Sequence, residues 1–423
     1  MMEKREKAIL VGVNLKSEDE IEFEYSMEEL GELAAACDVE VVGQITQKLE
    51  RINTAHYVGK GKIEEVINLI KMFEANTVIF DDELSPSQIR NLEEELDCKV
   101  IDRTILILDI FARRAKTREA QLQVEVAKLQ YMLPRLVGLR ASLGRQGGGA
   151  GLKNKGAGET KLELDRRKIE EKITALSKEL ATLVAQREVQ RRQRKKNELP
   201  VVSLVGYTNA GKSTVMNSML EVFNKAVNKQ VFEKDMLFAT LETSIRHIEQ
   251  EDHKSFLLTD TVGFVRKLPH HLVKAFRSTL EEAANADLLI HVVDYSNSHY
   301  EQLIETTNKT LKSIGVEDVP TIFAFNKADL VDGDFPKVEG DIVYLSAKQK
   351  MGITELTNVI RKHIFKDYVV CNLLIPYDQG NIISYFNEHA HVRQTSYEEN
   401  GTLITIECKK ADYEKYKEFE VQE

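Results

Sequence analysis

The tightest constraint on this chain is an eight-residue stretch, Gly206-Tyr207-Thr208-Asn209-Ala210-Gly211-Lys212-Ser213, directly after the apolar run Val201–Val205. A glycine-rich turn that closes on Lys-Ser between a strand and a helix is the pattern of a phosphate-binding loop. Glycine lets consecutive backbone N–H groups curl round phosphates, and the following helix N-terminus adds its dipole. On this reading Lys212 reaches the β- and γ-phosphates, Ser213 ligates Mg2+ through its hydroxyl, and Thr214 extends the nucleotide-binding set into the helix. Such a loop commits its surroundings to a doubly wound α/β domain. Further strands are expected at 256–259, 288–294, 321–325 and 342–345, with a closing helix at 354–364.

Three more segments follow at expected strand ends. In Asp260-Thr261-Val262-Gly263, Asp260 is placed to hold Mg2+ through water and the Gly263 N–H to sense the γ-phosphate. In Asn326-Lys327-Ala328-Asp329, the Asp329 carboxylate can accept from both N1–H and the 2-amino group of guanine. Adenine offers neither donor, and a site built for hydrogen bonds rejects the analogue that lacks them. In Ser346-Ala347-Lys348, the Ala347 N–H is placed for guanine O6. Four such elements in this order predict a Mg2+-dependent GTPase binding GTP and GDP.

A fifth element is expected on a loop over the γ-phosphate. The stretch Phe238-Ala239-Thr240-Leu241-Glu242-Thr243 is the candidate, with Thr240 as second Mg2+ ligand and Thr243 as the alternative. Lys212, Thr240 and Gly263 then carry the catalysis. Phe264 stands where small signalling GTPases place a water-orienting glutamine. Slow intrinsic hydrolysis, accelerated by a bound partner, is therefore expected; no arginine finger can be assigned, and Arg266 is only a weak candidate.

Outside this domain, three further regions are expected. Residues 1–103 alternate strand and helix patterns and predict a small parallel α/β domain. In its midst Tyr57-Val58-Gly59-Lys60-Gly61-Lys62 reads as a strand-to-helix turn, with a phosphate loop as the alternative. Residues 104–198 read as one helix from 104 to about 136, a glycine-rich basic loop over 138–158, and a second long helix from 159 to 196. Together they predict an antiparallel hairpin. The GTPase domain spans 199–365, and 366–423 predict a small α+β domain. Net charge is −10, yet 106–198 carry 22 Lys and Arg against 11 Asp and Glu. One basic segment in an acidic chain suits a polyanion, although long charged helices also form plain solvated faces. The four cysteines are scattered without metal-ligand spacing, no run is apolar enough to cross a bilayer, and a reducing cytoplasm fits best.

Beyond the nucleotide segments, Arg145-Gln146-Gly147-Gly148-Gly149 and Gly156-Ala157-Gly158-Glu159-Thr160-Lys161-Leu162-Glu163 precede a long basic helix. With Tyr57–Lys62, they make the chain resemble the HflX-type ribosome-associated GTPases over roughly residues 7 to 365. It departs from them at 154–161, where Arg-Gly-Pro-Gly-Glu-Thr-Gln is common, and at Leu241-Glu242, where Leu-Asp is usual. The resemblance implies binding to the large (50S) ribosomal subunit and its rRNA through the hairpin and N-terminal domain. It further implies splitting of stalled or idle ribosomes under stress in the GTP state, release on hydrolysis, and a secondary ATPase activity. A monomer without stable DNA binding or an integral membrane segment is expected, with peripheral membrane association the one alternative to a purely cytoplasmic location. The rivals are a GTPase of ribosome assembly or RNA modification, and a membrane-associated switch using the hairpin as a coiled coil.

Overall fold

The computed structural model describes residues 6–17, 19–143, 155–196, 199–223, 243–248, 254–269, 272 and 282–421. At 136–143, 155–162 and 190–196 only the backbone path is described. Among these residues the chain forms two compact units: one holds the chain up to residue 193 with 262–272, the other holds 194–261 and 282 onward.

The first unit begins with a four-stranded parallel sheet in the order β2-β1-β3-β4, formed by β1 Lys7–Leu15, β2 Glu40–Leu49, β3 Thr77–Phe80 and β4 Lys99–Asp102. Side chains alternate across a strand, so a strand covered on both faces is apolar throughout. Along β1, Ala8 and Leu10 pack with α1 (Glu20–Ala36) and α4 (Arg103–Arg114). Ile9, Val11 and Val13 pack with α2 (Lys60–Phe73) and α3 (Pro86–Leu96) on the other face. Helix α3 starts on a capping box: the Ser85 hydroxyl accepts from Gln88 N, and the Gln88 side chain accepts from Ser85 N.

The helical region departs from its sequence reading in two places. The chain breaks at Ala115–Thr117, so α4 packs in the sheet's core and a separate helix α5 runs Arg118–Leu143. The next helix, α6, runs Lys155–Lys196 and takes in Gly156 and Gly158, both expected in the loop. Glycine lowers helix stability by only about 1 kcal/mol per residue, which a 42-residue helix absorbs. Residues 144–154, with Arg145–Gly149, lie outside the described ones. Helices α5 and α6 are antiparallel: Arg118 meets Glu179 at 2.8 Å and Lys172 meets Glu125 at 2.6 Å.

The second unit is built on a seven-stranded sheet in the order β10-β11-β9-β8-β5-β7-β6. Its five inner strands, β11 (Ile342–Tyr344), β9 (Thr321–Asn326), β8 (Leu288–Asp294), β5 (Val201–Val205) and β7 (Phe256–Asp260), are parallel. Both edges are antiparallel, β6 (Ser244–Ile248) on β7 and β10 (Lys337–Glu339) on β11. Neither edge strand was expected, because both are short and half or fully exposed, without an apolar run. The C-terminal part adds an antiparallel sheet, β12 (Tyr368–Ile375), β14 (Gly401–Lys409) and β13 (His391–Glu398), with a helix at Gly380–His389. Just before β7, Lys254 lies buried near the rings of Phe365 and Tyr368 and pairs with Glu407 of β14.

Candidate functional site

The nucleotide loop joins β5 to helix α7 (Lys212–Phe223) and is built around positions that exclude a side chain. Gly206 has φ 141°, and a Cβ there would stand 2.2 Å from the Val292 carbonyl of β8. Gly211 has φ 91°, and its Cβ would stand 2.3 Å from the Asn326 amide. Asn209 also takes a left-handed conformation, φ 61°, which asparagine tolerates better than most residues. Tyr207, Thr208 and Ala210 are buried, and Thr214 is half-buried in the first helical turn.

Lys212 opens α7 with a buried side chain, its Nζ donating to the carbonyls of Gly206 (3.1 Å) and Tyr207 (2.7 Å). Burial drags its pKa down to about 8 against the opposing pull of Asp260. An ammonium so poorly solvated gains strongly from an anion, which is what a phosphate supplies. The Ser213 hydroxyl donates to Asp260 Oδ2 at 2.6 Å, and Asp260 is fully buried at the end of β7. Thr261 donates its hydroxyl to Leu204 O at 2.7 Å, locking the residue after Asp260 to β5. A hydroxyl beside a buried carboxylate is a hard oxygen pair, the chemistry that suits Mg2+ with phosphate oxygens completing its shell. Among the described residues no cluster of three His, Cys, Asp or Glu offers a competing metal site. Thr240, with Phe238, Ala239, Leu241 and Glu242, lies outside the described residues; Thr243 is described and half-buried.

The base side is cross-tied by one amide. Asn326 Nδ2 donates to Ala210 O and its Oδ1 accepts from Ala347 N, both at 2.9 Å. One side chain thus fastens the nucleotide loop to the Ser346–Lys348 loop. Ser218 of α7 donates to Ala347 O at 2.5 Å, so the Ser346-Ala347-Lys348 loop is held from below while Lys348 stays exposed. Asp329 sits half-buried in a single 3-10 turn, with Gln349 Nε2 at 3.3 Å from its Oδ2. Lys327, left-handed at φ 64°, pairs with Asp294 at 2.7 Å.

Val262 and Gly263 fold with the first unit. Val262, Val265 and Leu272 join the core formed with Leu30, Leu106 and Ile107, and Phe264 is buried. A charged cluster lies beside them. Arg103 is buried and paired with Glu29 and Asp81, each at 2.6 Å, and donates to the Arg266 carbonyl at 3.4 Å. Lys267 pairs with Asp81 at 2.5 Å and Asp82 at 2.6 Å. Burial alone would raise the Asp81 carboxyl; Arg103 and Lys267 outweigh it and hold the pKa at about 2. Arg266 donates to the Glu22 carbonyl at 3.3 Å and covers the Tyr25 ring at 4.6 Å. Sequence reasoning missed Glu29, Asp81, Arg103 and Lys267. The one available signal was Asp81-Asp82 closing the apolar run of β3. The Tyr57–Lys62 segment is a turn into α2: Tyr57 is buried, its hydroxyl bonded to Asp82, and Gly59 N donates to Gln47 at 2.8 Å.

Three family models match in succession: "GTP-binding GTPase N-terminal" over 24–112, "GTP-binding GTPase Middle Region" over 114–194 and "50S ribosome-binding GTPase" over 201–327. The GTPase HflX of Caldanaerobacter subterraneus is 44% identical over 403 residues, 95% of this chain and 91% of that protein. The GTPase HflX of Escherichia coli is 38% identical over 404 residues, 94% and 92% of the two chains. A GTP-binding protein from Sulfolobus solfataricus, solved with GDP, is 26% identical and covers 85% of this chain and 99% of its own, at a TM-score of 0.44. With relatives this similar along nearly its whole length and a phosphate loop that only glycine can build, the chain belongs to the HflX family of GTPases and hydrolyses GTP.

Proposed function

We propose that this GTPase binds the large ribosomal subunit in its GTP state, splits stalled or idle ribosomes under stress, and is released by hydrolysis. The observation that carries the reading is the full-length similarity to HflX GTPases, combined with a GTPase domain matching a family described as ribosome-binding. The paired helices α5 and α6 support it, because they lie in the basic stretch of an otherwise acidic chain. Structured RNA is recognised largely through shape and phosphates, which such a surface suits. The protein works as a monomer in the cytoplasm on this reading.

At the nucleotide, the loop 206–211 cradles the phosphates through backbone N–H groups, and Lys212 neutralises the β- and γ-phosphates. Ser213 and Thr240, with Asp260 through water, would hold Mg2+, which would supply positive charge to the transferring phosphate. The Gly263 N–H reads the γ-phosphate, and Asp329 with Ala347 N reads guanine. Phe264 supplies no polar group to orient water, so a partner accelerates the step.

Sedimentation with ribosomes in a sucrose gradient tests the reading, comparing a non-hydrolysable GTP analogue, GDP and no nucleotide. Co-migration with the large subunit mainly in the GTP state, with coupled ribosomes falling apart, is expected. Deletion of Gly147–Gly149 should abolish splitting while leaving GTP binding intact. Binding only to precursor particles would move the role to assembly, and binding to no particle would leave the GTPase activity alone standing.

A further inference from the structure

We propose that Asp294 is a positioning residue of the guanine subsite, holding Lys327 so that its stem lies along the face of the purine. The inference rests on the reading that Asn326–Asp329 bind the base. Asp294 is the last residue of β8 and stands opposite Asn326 in the parallel register with β9. One carboxylate oxygen accepts from the Ser296 N–H at 3.1 Å and from the Ser296 hydroxyl at 2.6 Å. The other accepts from Lys327 Nζ at 2.7 Å. The carboxylate is thus oriented by its own turn before it meets the lysine. The two strand ends are also tied directly, Tyr295 N donating to Asn326 O at 2.9 Å. The Tyr295 ring meets Phe325 and Tyr344 edge-on, with centroids 5.5 and 5.1 Å apart.

What this arrangement decides is the path of Lys327. Both polar atoms of Asn326 are taken by Ala210 and Ala347, and Asp329 meets Gln349. The left-handed backbone at Lys327 sets the direction in which its side chain leaves, but four rotatable carbons then leave many positions open. An ion pair at the tip selects one of them. With exposures of 27% and 19% for the two side chains, the pair is partly shielded from solvent and keeps more of its strength than a surface pair. A stacked alkyl stem does not distinguish one purine from another; it raises affinity for all of them. Discrimination stays with Asp329.

The test measures dissociation constants of the full chain for GDP, inosine diphosphate, xanthosine diphosphate and ADP by displacement of a fluorescent GDP. Asp294→Asn should weaken GDP and inosine diphosphate alike by about two- to fivefold, leaving their ratio unchanged. The same substitution on a Lys327→Met background should add nothing, and Asp294→Glu, which keeps the carboxylate, should recover most of the loss. Unchanged GDP affinity in D294N overturns the proposal. So does an effect that persists in the Lys327→Met protein, since it would then not run through the lysine. Asp329→Asn tests the underlying reading separately: it should shift preference to xanthosine diphosphate, and failure to do so removes the guanine subsite whatever D294N shows.

Discussion

The nucleotide loop and the charged cluster beside residues 262–267 both handle charge away from water, and they do so by opposite means. The loop works with backbone: Gly206 and Gly211 leave no room for a Cβ, and Lys212 donates to main-chain carbonyls. The cluster works with side chains, joining Glu29, Asp81, Arg103 and Lys267, which are far apart in sequence. A backbone site needs particular residue types at fixed spacing and tolerates no substitute. A side-chain cluster needs only balanced charge, and several arrangements achieve that.

This contrast can be broken at four points. Gly206→Ala should be the most damaging, because its Cβ would strike the Val292 carbonyl, which cannot swing away as a flexible side chain can. Loss of GDP binding by at least about a hundredfold is expected by fluorescence titration; near-normal binding would mean that the loop bends more freely than its packing allows. Asp81→Ala leaves Glu29 as the one carboxylate paired with Arg103 and Asp82 as the one paired with Lys267 among the described residues, so unfolding in urea should show a loss of about 3–5 kcal/mol.

Acid probes the same carboxyl without mutation. The Asp81 pKa is about 2 in the folded chain against an ordinary 3.8, so the unfolded chain binds the proton first. The stabilisation is complete above about pH 4 and is lost as pH falls towards 2, a change of about 2 kcal/mol. Acid denaturation followed by circular dichroism should show that decrement, and D81A should lack it. Lys267→Met should have the smallest effect, about 1 kcal/mol, because Asp81 keeps Arg103 and Lys267 is one-third exposed. Its informative readout is single-turnover GTP hydrolysis, since Lys267 sits four residues beyond Gly263. A changed rate with unchanged GDP affinity would show that the cluster acts on hydrolysis through the segment at Gly263; an unchanged rate would make the cluster purely structural.

Much of the fold was legible in the chain. The β1 run is apolar at every position from Ala8 to Val13 except Gly12, and a strand of that kind must be covered on both faces. Ser85-Pro86 with Gln88 announced the start of α3. The break at 115–117 was not legible, because the helical pattern resumes immediately and only the packing of α4 into the core separates the two helices. Strand β13 was hidden as well: His391–Glu398 is mostly polar and exposed, and gains its conformation from pairing with β14. Asp294 looked like any strand-ending carboxylate until β9 brought Lys327 beside it.

The sequence by itself determined the nucleotide loop and the family, because phosphate cradling demands given residues at given spacing. Only the tertiary structure decided that Arg103, buried and worthless alone, is balanced by carboxylates from α1 and from the residue just after β3, and that Lys267 completes the set. Charge neutrality in a buried site is a property of neighbours in space, and no spacing along the chain encodes it.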